Sequence, residues 1–316
     1  MRPMPRRQGR RNRAVLVAAL VGAPLVSGCY LARQAEGQIR LLFELRPVEE
    51  VRSDPALLPE ERRSLELVAD VKAFGEREMG LARTAAYTTF FDTRGRPVSW
   101  IVSACPPDRF APVTWWFPIV GSVPYKGFFR REDALEEAAA LLERGYDVSL
   151  SPVAAYSTLG YLPDPVLSPM LDDPPEELAA LILHELTHAT LYRAGETDFN
   201  EGLATFVGRQ GAIDYTRARF GEASAPHERA LRALEEERRR AARADEAFRR
   251  LRELYASDAP RDRKLALRDR VAGFRVNNAR ILMARRYGRL DTFEELWRRA
   301  GGNWTRFFAL ARGDAS

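Results

Sequence analysis

Two histidines four residues apart, with a glutamate beside the first, constrain this chain more than any other feature. They form His184-Glu185-Leu186-Thr187-His188, inside the best-defined helical segment, Asp173 to Tyr192. Asp173 is placed to cap that helix, Pro174 suits its first turn, and Glu176 follows three residues after the cap. Spacing of i, i+4 puts both imidazoles on one face, one turn apart. Leu181, Ile182, Leu183 and Leu186 make the segment apolar, so the imidazoles and the carboxylate are expected to be buried or to line a cleft. Groups of this kind need partners in such surroundings, and a shared metal ion supplies one.

A third ligand is expected downstream. The chain turns at Gly195 and re-enters a helix from about Phe199 to Gln210, carrying Glu201 13 residues after His188. A short turn and an antiparallel return would bring Glu201 back against the first helix. Glu196 and Asp198 are alternatives in the connecting loop, less rigidly held. Two histidines and one carboxylate with a fourth position open is the catalytic arrangement of zinc, not the closed structural one. Zn2+ there would lower the pKa of a coordinated water. Glu185 would take the proton as general base, and hydroxide would attack a polarised carbonyl. An electrophile should meet the developing oxyanion. Tyr156, Tyr161, Tyr255 and Tyr287 are candidates, and the sequence does not choose between them. The remaining histidine, His227, has no place in the motif.

The amino terminus reads as a targeting segment. Six arginines between Arg2 and Arg13 precede an apolar stretch from Ala14 to Val26, followed by Ser27-Gly28-Cys29. The stretch is short for a membrane span and fits the core of a signal peptide. Its ending resembles a bacterial lipobox, which implies cleavage before Cys29 and acylation of that thiol. Tyr30 in the following position favours the outer membrane. Without the leader, 43 basic residues face 44 acidic ones. That near-balance gives no reason to expect nucleic-acid binding. With Cys29 lipidated, Cys105 has no disulfide partner.

The rest divides by composition. Residues 1–28 are the leader, and 29–86 are helical in pattern, with Pro55 and Pro59 separating two helices. Residues 87–226 form the catalytic core. They include a hairpin signal, Tyr87–Phe91 and Val98–Val102 around the turn 92–96. A strand candidate at Val113–Val120 follows, then a helix at Glu132–Arg144 ended by Gly145. A strand at Tyr146–Tyr156 comes next, and Pro152 demotes it to an edge. Residues 227–316 are helical, first as a solvated Arg/Glu-rich hairpin to Arg270, then as two or three helices anchored by Trp297, Trp304, Phe307 and Phe308. The order of helices, strands and helices indicates an α+β fold.

Strings in a fixed order make a wider resemblance. Trp116 to Phe129, Ala155 to Tyr161, His184 to His188, Asp198 to Glu201 and Asn277 to Ala279 together resemble the putative aminopeptidase lipoprotein family of proteobacteria. Ser122 and Thr187 depart from its usual residues without touching a proposed ligand. The resemblance implies a zincin-like core with a small antiparallel or mixed sheet. It implies a periplasm-facing, zinc-dependent peptidase acting on peptides, with Glu201 as third ligand. In gluzincins an edge strand beside the motif helix pairs with the extended substrate. Val153 to Gly160 is the candidate here, with Tyr156, Ser157 and Thr158 as substrate-binding residues. An endopeptidase, a cell-wall peptide amidase and a catalytically silent zinc-binding lipoprotein are the competing expectations. Retention of Glu185 speaks against the last, since a structural site has no use for a base.

Overall fold

The structure, a computed structural model, describes residues 30, 37, 41, 43–117, 121–153, 163–288 and 290–314. Cys29, Tyr156, Ser157, Thr158 and Tyr161 lie outside the described residues. The chain divides into two compact units, Met1–Leu45 and Arg46–Ser316. In the first, Tyr30, Gly37, Leu41, Phe43 and Glu44 are helical and Leu41 is buried. Everything below concerns the second, which is α+β with helices predominating. No helix among the described residues is long and apolar enough to cross a membrane.

Strand β1 (Arg46–Pro47) and the short helix α1 (Val48–Arg52) lead into α2 (Pro59–Glu78). Proline opens α2, and the Glu61 carboxylate accepts from the Leu58 N–H at 2.9 Å, closing its first turn. Leu65, Val68 and Val71 recur at helical spacing and are buried. Strands β2 (Thr89–Phe91), β3 (Ser99–Cys105), β4 (Trp115–Phe117), β5 (Gly121–Val123) and β6 (Lys126–Phe128) follow. Helix α3 (Arg131–Glu143) and β7 (Asp147–Val153) come next. Gly145, at φ 79°, takes the left-handed turn that reverses the chain after α3.

The expected hairpin does not form. Its turn does: Arg94 N–H donates to the Asp92 carboxylate at 2.8 Å, and Arg94 and Gly95 adopt φ 53° and 71°. The flanking strands part company, however. β2 lies between β1 and β8 (Val166–Leu167), parallel to the latter, while β3 is the centre of the sheet β6-β3-β7. The Thr93 N–H donates to the Ser168 hydroxyl at 3.0 Å, so the turn is held by a distant segment instead of by its own strands. β7 is an edge strand, with Pro152 opposite Trp100, as the proline requires.

After a 3-10 turn (Ser168–Asp172), α4 (Pro175–Thr190) carries the two histidines. It begins one residue later than the capping pattern suggests. Pro174 precedes another proline and is therefore extended, at φ −64° and ψ 153°, which leaves Asp173 outside the helix. Glu176 does no capping; it is buried and paired with Arg229. Helix α5 (Thr197–Phe220) packs on α4, and α6 (Ala225–Ala256) with α7 (Arg261–Ala272) forms the charged hairpin. The chain ends in α8 (Asn278–Tyr287), α9 (Leu290–Arg299) and α10 (Trp304–Arg312).

Asn277 and Asn278 fix α8 against the sheet. The Asn277 side chain caps the helix, accepting from Arg280 N–H at 3.0 Å, and donates to the Val148 carbonyl at 2.8 Å. Asn278 donates from its backbone to Asp147 and from its side chain to the Pro106 carbonyl, each at 2.8 Å. These bonds tie the start of α8 to β7, while its far end reaches α5.

Candidate metal centre

The site is built where α4 and α5 cross. Leu178, Ile182, Leu183 and Leu186 bury one face of α4, and Leu203, Phe206 and Val207 bury one face of α5. Glycine lets the backbones meet: a Cβ on Gly208 would lie 2.5 Å from the Ala180 carbonyl oxygen and 3.2 Å from the His184 Cβ. Leu191 leaves α4 in an extended conformation and starts the return. Asn200, fully buried, then clamps the loop. Its amide oxygen accepts from Arg193 N–H at 2.8 Å and its nitrogen donates to the Arg193 carbonyl at 2.7 Å. The next residue is Glu201, which the clamp delivers to the histidine face.

His184 Nε2 and His188 Nε2 are 3.3 Å apart. Glu201 Oε2 lies 3.5 Å from the first and 3.8 Å from the second. All three donor atoms fall within 4.8 Å of one another, a group that could hold a metal ion. Metal–ligand bonds of about 2.0–2.1 Å at tetrahedral angles set neighbouring ligand atoms roughly 3.3–3.4 Å apart. The His184–His188 and His184–Glu201 edges lie close to that spacing and the His188–Glu201 edge is longer; two imidazoles and a carboxylate suit zinc chemically. Glu196 is exposed and paired with Arg193, and Asp198 is paired with Arg286, so neither joins the triplet.

Burial and charge divide the protons unequally. Burial alone would lower His184, but the hydrogen bond to Glu201 and the Glu185 and Glu201 charges raise it above the usual imidazole value. His188 is lowered to about 4, by burial and then by the His184 charge. Burial works to raise Glu201, yet the bond to His184 and the charges of both histidines and Arg286 bring it below the usual carboxylate range. The group therefore holds a carboxylate and a neutral His188, two of the three protonation states that a metal requires. His188 Nδ1 is buried and has no hydrogen-bond partner among the described residues.

Glu185 stands outside the triplet. Its charge acts on His184 and on the phenols of Tyr87 and Tyr287. Burial, then Glu201, raise Tyr287 far above a free phenol, with Glu185 a smaller cause. Of the tyrosines singled out in the sequence, Tyr287 is brought to the site. Tyr255 is not: it donates to Asn278 at 3.0 Å within a separate cluster around Leu251 and Ile281. His227 is buried against Thr216 and the Ile213 carbonyl. Cys105 donates to the Arg109 carbonyl at 3.3 Å, and burial pushes its thiol up to about 11, which leaves it no nucleophile. Tyr87, Tyr125 and Arg286 were not singled out by the sequence. Tyr87 is a buried aromatic residue in the left-handed region, at φ 62°.

A family model described as "Putative aminopeptidase" matches residues 29–275, most of the chain. No curated protein and no solved structure matches.

Proposed function

The chain belongs to the putative aminopeptidase family, and from that premise we propose that it is a zinc-dependent metallopeptidase with a zincin-like core. The observation that carries the proposal is the convergence of His184, His188 and Glu201 on one another at 3.3, 3.5 and 3.8 Å, close enough to share one ion. Zinc, when bound, polarises the scissile carbonyl and lowers the pKa of a coordinated water. The protein supplies the rest. His184 and His188 present neutral nitrogens, and Glu201 contributes the charge and leaves the fourth direction open. Glu185 takes the proton of the attacking water and delivers it to the departing amine. Tyr287, a phenol held neutral by burial and by the Glu201 and Glu185 charges, donates to the oxyanion on the substrate. The segment Val153 to Gly160, with Tyr156, Ser157 and Thr158, is the proposed rest for the substrate backbone.

The test uses the mature protein. One equivalent of zinc is expected on purification, together with cleavage of a peptide mixture that a chelator stops and added zinc restores. Stepwise loss of residues from free amino termini, absent from acetylated peptides, would mark an aminopeptidase; internal cuts would mark an endopeptidase. Protein that neither carries zinc nor takes it up would end the proposal.

The same reading puts the enzyme in the cell envelope, lipid-anchored through Cys29 and facing the periplasm. The leader and the lipobox-like ending at Cys29 support this. Cells fed labelled palmitate should label the protein and retain it in the membrane fraction. Cys29→Ser should abolish both, and label persisting in that variant would remove the anchor.

A further inference from the structure

Arg286 and Tyr287 end α8 beside the metal centre. Arg286 is only 5% exposed, a degree of burial that arginine tolerates when its donors are met. Here they are met in part. Nε donates to Asp198 Oδ1 at 3.2 Å, and Nη1 faces the Met283 sulfur, a weak acceptor, at 3.4 Å. Asp198 is 58% exposed, so water screens that pair. Nη2 has no hydrogen-bond partner among the described residues, which leaves the Nη1–Nη2 edge of the guanidinium open for a planar, two-oxygen acceptor.

Tyr125 lies against the same group, its ring centre 5.7 Å from the guanidinium carbon. Its hydroxyl also makes no hydrogen bond among the described residues. Burial, then the Glu201 charge, push it up to about 12 against the pull of Arg286, so it is a neutral donor. A cation whose Nη2 is unfilled and a phenol without an acceptor among the described residues thus stand side by side, where the Glu201 charge is felt. Glu201 acts electrostatically on both groups, while its Oε2 lies toward the two imidazoles.

We propose that Arg286 and Tyr125 form a pocket for a carboxylate of the substrate, so that the enzyme selects peptides carrying a carboxylate next to the scissile bond. The inference rests on the metallopeptidase reading for its position in the reaction but not for its binding chemistry. The carboxylate has two possible sources, the free carboxyl terminus of a short peptide and an Asp or Glu side chain. Either fits the fork, and a desolvated guanidinium binds it more strongly than an exposed one would.

Two matched peptide pairs test this on the zinc-loaded protein: free carboxyl terminus against amide, and Glu against Gln beside the cleaved bond. Hydrogen bonds to a charged partner, at about 1.5–3 kcal/mol, predict that kcat/KM favours the carboxylate member of one pair by about 10- to 100-fold, mainly through KM. The responding pair names the source. Arg286→Gln should bring the ratio to about 1, and Tyr125→Phe, which keeps the ring, should reduce it several-fold. Calorimetry of the same peptides with metal-free protein gives a readout independent of turnover and should show the same preference. Equal kcat/KM within both pairs in the wild type overturns the pocket, as does an undiminished ratio in Tyr125→Phe. A carboxylate preference in calorimetry without cleavage of any peptide would uphold the pocket and sink the metallopeptidase reading instead.

Discussion

Glu185→Gln is expected to lower kcat by about 10²- to 10⁴-fold, the usual contribution of a positioned general base. Zinc content and melting temperature should be unchanged. The amide is isosteric with the carboxylate but cannot accept the proton of the attacking water. Glu185 is outside the triplet of metal-binding atoms, so the substitution removes no ligand and one negative charge. That loss alters the field at His184, where the Glu185 charge helps to hold a proton in the metal-free state. Zinc should therefore bind Glu185→Gln at least as well as wild type. The combination of full metal occupancy and lost turnover is what separates a base from a structural carboxylate. Turnover within a factor of three of wild type, measured on metal-replete protein, would take Glu185 out of the mechanism. Tyr287→Phe makes a comparison on the same assay. Removing one oxyanion donor costs about 10²- to 10³-fold in kcat, again at constant zinc. If only Tyr287→Phe were impaired, the catalytic proton would have to travel through another group.

The local part of this site was readable in the chain because helix geometry alone relates residues four apart. His184, Glu185 and His188 needed no tertiary information. Glu201 needed only a short return, and the buried Asn200 clamp on Arg193 is what makes that return rigid. Tyr125 and Arg286 were not readable for the opposite reason. They come from a strand connection and a helix end, 161 positions apart in number, and meet through the docking of α8 on the sheet. Tyr125 falls in the resemblance string Trp116 to Phe129, but nothing in either local sequence marks the two as partners.

The fold shows the same division. Class, edge strand, charged hairpin and two or three terminal helices follow from periodicity and composition, and three are found. The hairpin at residues 87–102 failed because a good turn says nothing about which strands pair. β2 gains more by lying parallel to Val166 and Leu167, both fully buried, than by folding back on β3. The second helix, α5, is expected from its sequence to end at about Gln210, just before Gly211, and that glycine does not end it. It is instead a notch: a Cβ there would come 2.7 Å from the Leu183 Cδ1 and from the Met79 Cε. The helix continues ten residues beyond Gln210, to Phe220, since packing against α2 and α4 outweighs the roughly 1 kcal/mol helix cost of glycine.

Gly208→Ala should damage the metal centre without touching a ligand. The new Cβ would sit 2.5 Å from the Ala180 carbonyl oxygen, a backbone atom inside α4, and 3.2 Å from the His184 Cβ. Neither can swing aside as a side-chain end would, so α4 and α5 must separate. Alanine gains about 1 kcal/mol of helix propensity over glycine, while overpacking a filled core costs about 1–3 kcal/mol. The expected net change is a loss of stability of up to about 2 kcal/mol, from the difference of those two ranges. The larger consequence falls on zinc. Glu201 is held by α5 and the histidines by α4, so separating the helices lengthens contacts of 3.5 and 3.8 Å that must converge on one ion. A disturbed ligand framework weakens metal affinity by about 10- to 100-fold, measurable by competition with a chromogenic chelator. Gly211→Ala is the control. Its Cβ meets Leu183 and Met79 side-chain ends, which can move, so zinc affinity should stay near wild type even if stability drops. Equal zinc affinity in Gly208→Ala and wild type would mean that the close approach of the two helices does not hold the three ligands together.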